Sequence, residues 1–422
     1  MTSWLLAMVL WLLTPLIVTA QPNDQARDLF ASTEASVFQV RVIDKSTNNK
    51  SSTGSGFLIE ESGILATNYH VVSSVVDKPE KYRVEILLKD EQPVEATIIT
   101  LDIVHDLALL QTRPLDAPVL PLAQQEPAKG ETVYSIGFPY DLGITVIAGT
   151  WNGLAPHSAS PRVHFSGSLN PGMSGGPAFN NANEIIGVNV STAGNQMSFL
   201  VPVQSLRELF DNRPAEPLTS FNELIARQLT ANNKRLMDEM MAGDWSTVPL
   251  AGAHALGEVT GFLRCWGNSK DESNKQDNRP FFATRSCQTD HNISVTSQFF
   301  TGKFELQFYW IESDELSPTR FYDYYENVYS QYRPGNAGTK RDLGPWRCEE
   351  DFVIAGHTKT ERTKTVFCTR AYKKFTGLYD VMFLQGSVDR EQQAFMSHFT
   401  LSGTTREQAL RFTAQFMESG VW

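Results

Sequence analysis

The chain has 422 residues, of which 41% are hydrophobic and 20% charged, so wholesale disorder and fibrous classes are excluded. At about 150 residues per domain it has room for two or three domains with real cores. Acidic residues outnumber basic ones, 47 to 36, for a net charge of −11, and no long basic run occurs; this argues against a nucleic-acid partner, which needs clustered Lys and Arg.

Trp4 to Ala20 is uncharged and almost wholly apolar, and polarity resumes abruptly at Gln21-Pro22-Asn23-Asp24. Val18-Thr19-Ala20 has the small residues of a cleavage site, so residues 1–20 read as a secretory signal peptide, although the segment before the apolar run lacks Lys and Arg. An uncleaved anchor is the alternative, and only then would the chain hold a membrane. Export places the protein in the periplasm of a Gram-negative cell, or otherwise outside the cell. It fits four cysteines, an even number, all in the C-terminal part.

Residues 33 to about 205 read as all-β. Short runs such as Val37-Phe38-Gln39-Val40-Arg41-Val42 and Val84-Glu85-Ile86-Leu87-Leu88 are punctuated by Gly, Asn, Asp and Pro, which predicts a sandwich or barrel. Three segments inside this region carry chemistry. They are Thr67-Asn68-Tyr69-His70-Val71-Val72, His105-Asp106-Leu107-Ala108-Leu109-Leu110 and Asn170-Pro171-Gly172-Met173-Ser174-Gly175-Gly176-Pro177. Singly each is weak: a His between apolar residues is commonly a packed side chain, and Asp106 could be a turn carboxylate. Together they supply a base, an acid and a nucleophile. A serine hydroxyl needs a base within hydrogen-bond reach, His is the base suited to neutral pH, and a carboxylate behind it fixes the tautomer. In the chain order His, Asp, Ser, the oxyanion donors are the amides of Ser174 and Gly172, and glycines leave room for close approach. The lack of a Gly-x-Ser-x-Gly elbow speaks against an α/β-hydrolase.

After Val203, the spacing of Leu206, Leu209 and Phe210 predicts a short helix, and Thr219 to Met241 predicts a longer one. Residues 246–422 are rich in aromatics. Their cysteines are too widely spaced for a zinc site, and no metal or cofactor is expected. Of three pairings, Cys265–Cys287 and Cys348–Cys368 are favoured because each closes a short loop. A faint repeat accompanies them: Phe300-Thr301-Gly302 leads into Phe304-Glu305-Leu306-Gln307-Phe308, and Phe375-Thr376-Gly377 into Tyr379-Asp380-Val381-Met382-Phe383. Duplication and coincidence explain it equally well. Phe321-Tyr322-Asp323-Tyr324-Tyr325 reads as core rather than a binding platform, and Thr404 to Glu418 as a closing helix.

From Gly54-Ser55-Gly56-Phe57 to Ser198-Phe199-Leu200-Val201-Pro202, the chain resembles the trypsin-like serine peptidases of the HtrA/Deg type. The resemblance is carried by the three segments above, with lesser matches at Ile136-Gly137-Phe138-Pro139, Thr145-Val146-Ile147-Ala148-Gly149 and Gly187-Val188-Asn189-Val190. It implies a chymotrypsin-like double β-barrel, with His70 and Asp106 on the first barrel and Ser174 on the second. It also implies an endopeptidase acting on proteins or peptides through an acyl-enzyme. Two features depart from the pattern. Met173 stands where the family usually has Asn, and no PDZ-like carboxylate-binding loop is recognisable afterwards. The expected organisation is a signal peptide over 1–20, a peptidase domain over 30–213, a helical linker over 214–245, and a mixed α+β disulfide-containing domain over 246–422. Ser168, Leu169 and Val190 lie where they would line the pocket for the residue before the cleaved bond. None is acidic, which favours a small or aliphatic residue there over Lys or Arg. The competing reading is a latent or non-catalytic protein that keeps a protease fold for binding.

Overall fold

The computed structural model describes residues 24–419 except 217, 219, 270–279, 333–335 and 356–360. The expected signal peptide lies outside the described residues.

A helix, α1 (Asp24–Thr33), precedes two closed six-stranded barrels. The first is built from β1 (Val37–Asp44), β2 (Asn49–Glu60), β3 (Ile64–Thr67), β4 (Tyr82–Leu87), β5 (Pro93–Asp102) and β6 (Leu107–Gln111), in the order β1-β2-β3-β6-β5-β4. One helix, α2 (Tyr69–Asp77), interrupts it between β3 and β4. The second consists of β7 (Thr132–Gly137), β8 (Thr145–Leu154), β9 (Val163–Phe165), β10 (Pro177–Phe179), β11 (Ile185–Thr192) and β12 (Ser198–Pro202), in the order β10-β11-β12-β9-β8-β7. The short alternating runs have closed on themselves, which removes sheet edges.

Alternation along the first barrel divides its apolar side chains into two sets. Phe57, Ile59, Ile64, Ala66, Leu107 and Leu109 pack with Ile136, Phe179, Val188 and Val201, so the barrels share a core. The opposite set, Val40, Leu58, Leu65, Ile86, Ile98 and Leu110, is continuous with Ile293, Val295, Phe299, Tyr372 and Phe375 from the C-terminal region. The C-terminal region is thus packed into the first barrel's own cluster.

Two helices follow where spacing predicted them, α3 (Val203–Asp211) and α4 (Asn222–Ala242). Two small hairpins come next, β13 (Thr247–Leu250) with β14 (Ala253–Leu256) and, further on, β17 (Ile293–Thr296) with β18 (Phe299–Thr301). The main element is a seven-stranded antiparallel sheet. Its strands are β15 (Arg264–Ser269), β16 (Phe281–Gln288), β19 (Phe304–Glu312), β20 (Arg347–Ala355), β21 (Glu361–Ala371), β22 (Tyr379–Ser387) and β23 (Gln393–Thr404), in the order β15-β16-β19-β23-β22-β21-β20. α4 and the closing helix α6 (Arg406–Ser419) belong to the core on one face, with Leu236, Met240, Phe412 and Phe416 against Phe308, Phe383 and Phe399. α5 (Pro318–Gln331) covers part of the other through Phe321 and Tyr325, so the aromatic segment is core as expected.

Both disulfides form as favoured, Cys265–Cys287 and Cys348–Cys368. Each joins directly opposed residues, one on an edge strand and one on its neighbour. The strand order mirrors about β23. On either side lies a disulfide-stapled outer hairpin, then a strand from one of the two similar segments, β19 or β22.

Candidate active site

His70 is the second residue of α2, and Asp106 sits in the turn between β5 and β6. That turn needs a left-handed residue, and Asp106 supplies it at φ 61°, a conformation short polar side chains tolerate. Its carbonyl accepts from Asn68 Nδ2 at 2.8 Å and from the Tyr69 amide at 3.2 Å, fixing the start of α2. Its carboxylate then reaches both ends of one residue. Oδ1 accepts the His70 amide at 2.8 Å, and Oδ2 lies 2.6 Å from His70 Nδ1. Burial works against a charged imidazole, but the Asp106 carboxylate outweighs it, and the His70 pKa is raised above its ordinary value. Nδ1 is engaged by the carboxylate, which leaves Nε2 as the free face of the ring.

Asp102 also binds a histidine, a different one. Its carboxylate lies 2.6 Å from His105 Nδ1 and accepts the Val104 and His105 amides at 2.9 and 3.0 Å. It belongs to the framework of the turn rather than to His70.

The loop bearing Ser174 begins with Asn170-Pro171-Gly172-Met173, closed by a bond from the Met173 amide to the Asn170 carbonyl at 3.0 Å. Pro at the second position and a glycine of φ +100° at the third are the residues of a type II turn. A Cβ on Gly172 would stand 2.3 Å from the Phe138 carbonyl, and one on Gly175 would stand 2.3 Å from the Ser55 carbonyl, so both positions exclude side chains. Ser55 ties this loop to the first barrel: its amide donates to the Ser174 carbonyl at 2.7 Å and its hydroxyl to the Gly172 carbonyl at 2.7 Å. From the second barrel, buried Asn189 donates to the Ile136 and Met173 carbonyls and accepts from Ser135 Oγ at 2.7 Å.

Among the described residues, the amides of Gly172 and Ser174 donate to no protein acceptor, whereas Met173, Gly175 and Gly176 amides are all committed. Two donors therefore remain for an anion. Met173 is fully buried in the second barrel beside Trp151, Phe165 and Leu200, which explains an apolar residue at this position.

The structure brings His70 and Asp106 into contact. It does not join Ser174 to them by a hydrogen bond; Ser174 Oγ turns instead to the Val190 carbonyl, 3.5 Å away. The three residues expected to line the pocket divide. Ser168 is exposed, with its carbonyl accepting from Asn170 Nδ2 at 3.2 Å. Leu169 and Val190 are buried, Leu169 in the second barrel's cluster and Val190 in the core shared by both barrels.

The supports of α2 were not anticipated from the sequence. Tyr69, buried, donates through its hydroxyl to the Val295 carbonyl at 2.8 Å. Asp77 at the helix end pairs with Arg341 and Lys374. Gln228 of α4 accepts the Ile103 amide at 3.0 Å and donates to the Leu101 carbonyl at 2.9 Å, bracketing Asp102. All these partners come from outside the barrels, and no local motif marks them.

Residues 54–188 match the family model for a trypsin-like peptidase domain. A putative serine protease, HhoB, of Synechocystis is 31% identical over 38% of this chain and 40% of its own length. A probable periplasmic serine endoprotease, DegP-like, of Hahella chejuensis is 35% identical over 36% of this chain and 33% of its own. Human serine protease HTRA3 is 31% identical over 46% and 45% respectively. The chain thus spans a third to under half of the length of these curated relatives. Residues 54–188, which lie within the two closed barrels running from Val37 to Pro202, are similar to a trypsin-like peptidase domain, and the relatives that share this stretch are named as serine proteases of the HtrA and DegP kind.

Proposed function

We propose that the chain is an exported serine endopeptidase that cleaves peptide bonds through His70, Asp106 and Ser174. The observation that carries this reading is the His70–Asp106 pair at 2.6 Å, with Nε2 left free, on the barrel opposite a serine loop that keeps two amides uncommitted. In the reaction Ser174 Oγ attacks the scissile carbonyl carbon while its proton passes to His70 Nε2. The oxyanion is held by the Gly172 and Ser174 amides. His70 returns the proton to the departing amine, leaving an acyl-enzyme, and water repeats the sequence to release the acid. Asp106 holds the imidazole in the tautomer with the proton on Nδ1 and stabilises its charged form. For the first step Ser174 Oγ must come within hydrogen-bond reach of His70 Nε2; such contacts commonly tighten when substrate binds.

The lack of a hydrogen bond between Ser174 and His70 among the described residues favours a second reading, a latent or non-catalytic protein of protease fold. Fluorophosphonate labelling of the protein, with and without Ser174, separates the two. Labelling that depends on Ser174 supports the active peptidase, and none under conditions where the protein is folded supports the latent form.

Substrates are proteins or peptides. Export is supported by the apolar stretch from Trp4 to Ala20, by two disulfides, which persist in oxidising compartments, and by a relative named as periplasmic. Among the described residues no helix is long and apolar enough to cross a membrane.

A further inference from the structure

α4 and the C-terminal region grip the loop between β8 and β9 at four successive residues. His157 Nδ1 lies 2.8 Å from the Gly261 carbonyl, and Ser158 Oγ donates to Asp290 Oδ2 at 2.6 Å. The Ala159 carbonyl accepts from Arg235 Nη2 at 2.6 Å, and Ser160 Oγ lies 2.8 Å from His291 Nε2. Asp290 Oδ1 is 2.7 Å from His291 Nδ1, so Asp290, His291 and Ser160 form a hydrogen-bonded chain with the composition of a triad. Ser160 is only 4% exposed, and the residues around it are bound to the C-terminal region, so no substrate carbonyl can approach its hydroxyl. The set is a clasp between two parts of the chain.

Just beyond the clasp, Arg162 turns towards the candidate base. Its Nη1 lies 3.5 Å from the carbonyl of His105, the residue before Asp106. Burial lowers the pKa of its guanidinium, and the negative charges of Asp106, Asp290 and Asp102 work against that shift. Two of these already hold histidines of the peptidase domain; the third, Asp290, belongs to the C-terminal region.

We propose that Arg162 is a positioning residue for the His70–Asp106 pair, through its bond to the His105 carbonyl, and that Asp290 of the C-terminal region, bonded to Ser158 and to the Ala159 amide, holds the loop that carries it. The inference rests on the peptidase reading above. A fixed cation beside the pair opposes a second positive charge on His70, so it restrains the pull of Asp106 and keeps the base neutral nearer physiological pH. It also bonds the carbonyl next to the left-handed turn at Asp106. The charged groups that act on His70 are Asp106 and Arg162; those that act on Arg162 are Asp102, Asp106 and Asp290, with His105 and His291 on the two outer carboxylates.

The test uses the intact chain and two readouts: the titration midpoint of the His70 ring by NMR, and the pH profile of peptide hydrolysis. In Arg162→Gln the midpoint should rise by about half a pH unit or more, and the acid limb of kcat/KM should move up with it. Arg162→Lys, which keeps the charge, should hold the midpoint within about 0.2 units of wild type. Asp290→Asn should lower kcat for a short peptide several-fold, with KM little changed. An unmoved midpoint in folded Arg162→Gln overturns the role of Arg162, and wild-type kcat in Asp290→Asn overturns the clasp. If Arg162→Gln does not fold, a shifted midpoint in Arg162→Lys together with wild-type kcat in Asp290→Asn also overturns the proposal. Absence of both hydrolysis and fluorophosphonate labelling in wild type defeats the peptidase reading instead, while the His70 midpoint still decides what Arg162 does.

Discussion

The two halves of the candidate site are held by different means. The serine half is supported from within the barrels: a type II turn shapes it, Asn189 and Ser55 pin its carbonyls, and Met173 anchors it in the second barrel. The histidine half leans outward. Tyr69, Asp77, Leu101 and Ile103 all take partners from α4 or beyond. The difference teaches where regulation can enter. The serine loop takes its supports from the barrels, whereas the candidate base and its carboxylate sit on elements whose partners come from α4 and the C-terminal region.

The largest effects should come from the reacting groups themselves. Ser174→Ala should reduce turnover by roughly 10⁴ to 10⁶ with the fold retained, read as peptide hydrolysis against thermal unfolding. Comparable hydrolysis by the variant ends the assignment. On the other half, Asp106→Asn should cost about 10⁴ in kcat through the wrong imidazole tautomer. Asp102→Asn should cost far less, since its carboxylate serves His105; the large loss appearing at Asp102 instead of Asp106 would exchange their roles.

The pH dependence follows from the His70 pair. Its pKa is raised above the ordinary value of 6.5, and the base acts only when neutral, so the acid limb of kcat/KM should lie above pH 6.5 and activity should fall below it. The stability linkage has the opposite sense. A histidine with a raised pKa in the folded state contributes stability that is complete below pH 6.5 and is lost as pH rises through the folded-state value. A rate that stays flat down to pH 4.5 removes His70 from the role of base.

Smaller effects test the C-terminal side. Replacing Cys348 and Cys368 together by Ser should lower stability by about 3 kcal/mol on the chain-entropy account, measured by urea unfolding. Peptide turnover under native conditions should persist, because the staple fastens an edge strand and not a loop at the site. Loss of turnover in a folded double variant would mean that the sheet edge, too, supports the base.

Legibility in the sequence follows the same division. The serine loop is written in eight consecutive residues, because a tight turn, close backbone approaches and a return to strand each demand particular residue types in a row, whereas its pins Ser55 and Asn189 stand far off in sequence. His70 and Asp106 were legible as types, but their supports were not. Tyr69 is 226 residues from Val295 and Gln228 is 125 from Ile103, and one hydroxyl or one amide leaves no periodicity to read. Alternation foretold a barrel or sandwich, and only resemblance chose the double barrel. The helices α3, α4 and α6 were visible because amphipathic spacing is local. The seven-stranded sheet was not: the order β19-β23-β22 puts the last strand in the middle, and no local pattern encodes that insertion. Cysteine pairing succeeded because each bridge staples neighbouring strands of a hairpin, the shortest closure available.

The smallest expected change is the most direct probe of how the halves differ. Val295 falls at a register shift between β17 and β18, and Tyr69 bonds its carbonyl there. Tyr69→Phe keeps the ring in the shared cluster and removes only that bond. A buried carbonyl left without its donor should cost about 1 to 2 kcal/mol, measured by urea unfolding of the intact chain. Because Tyr69 precedes His70 on α2, the loosened helix should also lower kcat modestly, while the reactivity of Ser174 towards a fluorophosphonate falls in parallel. Asn189→Ala provides the contrast, since it strips three bonds from the serine half and should depress labelling without altering the His70 midpoint. If Tyr69→Phe costs stability and leaves both kcat and the His70 midpoint untouched, the C-terminal region merely rests on the barrel, and the asymmetry between the halves is one of packing rather than of function.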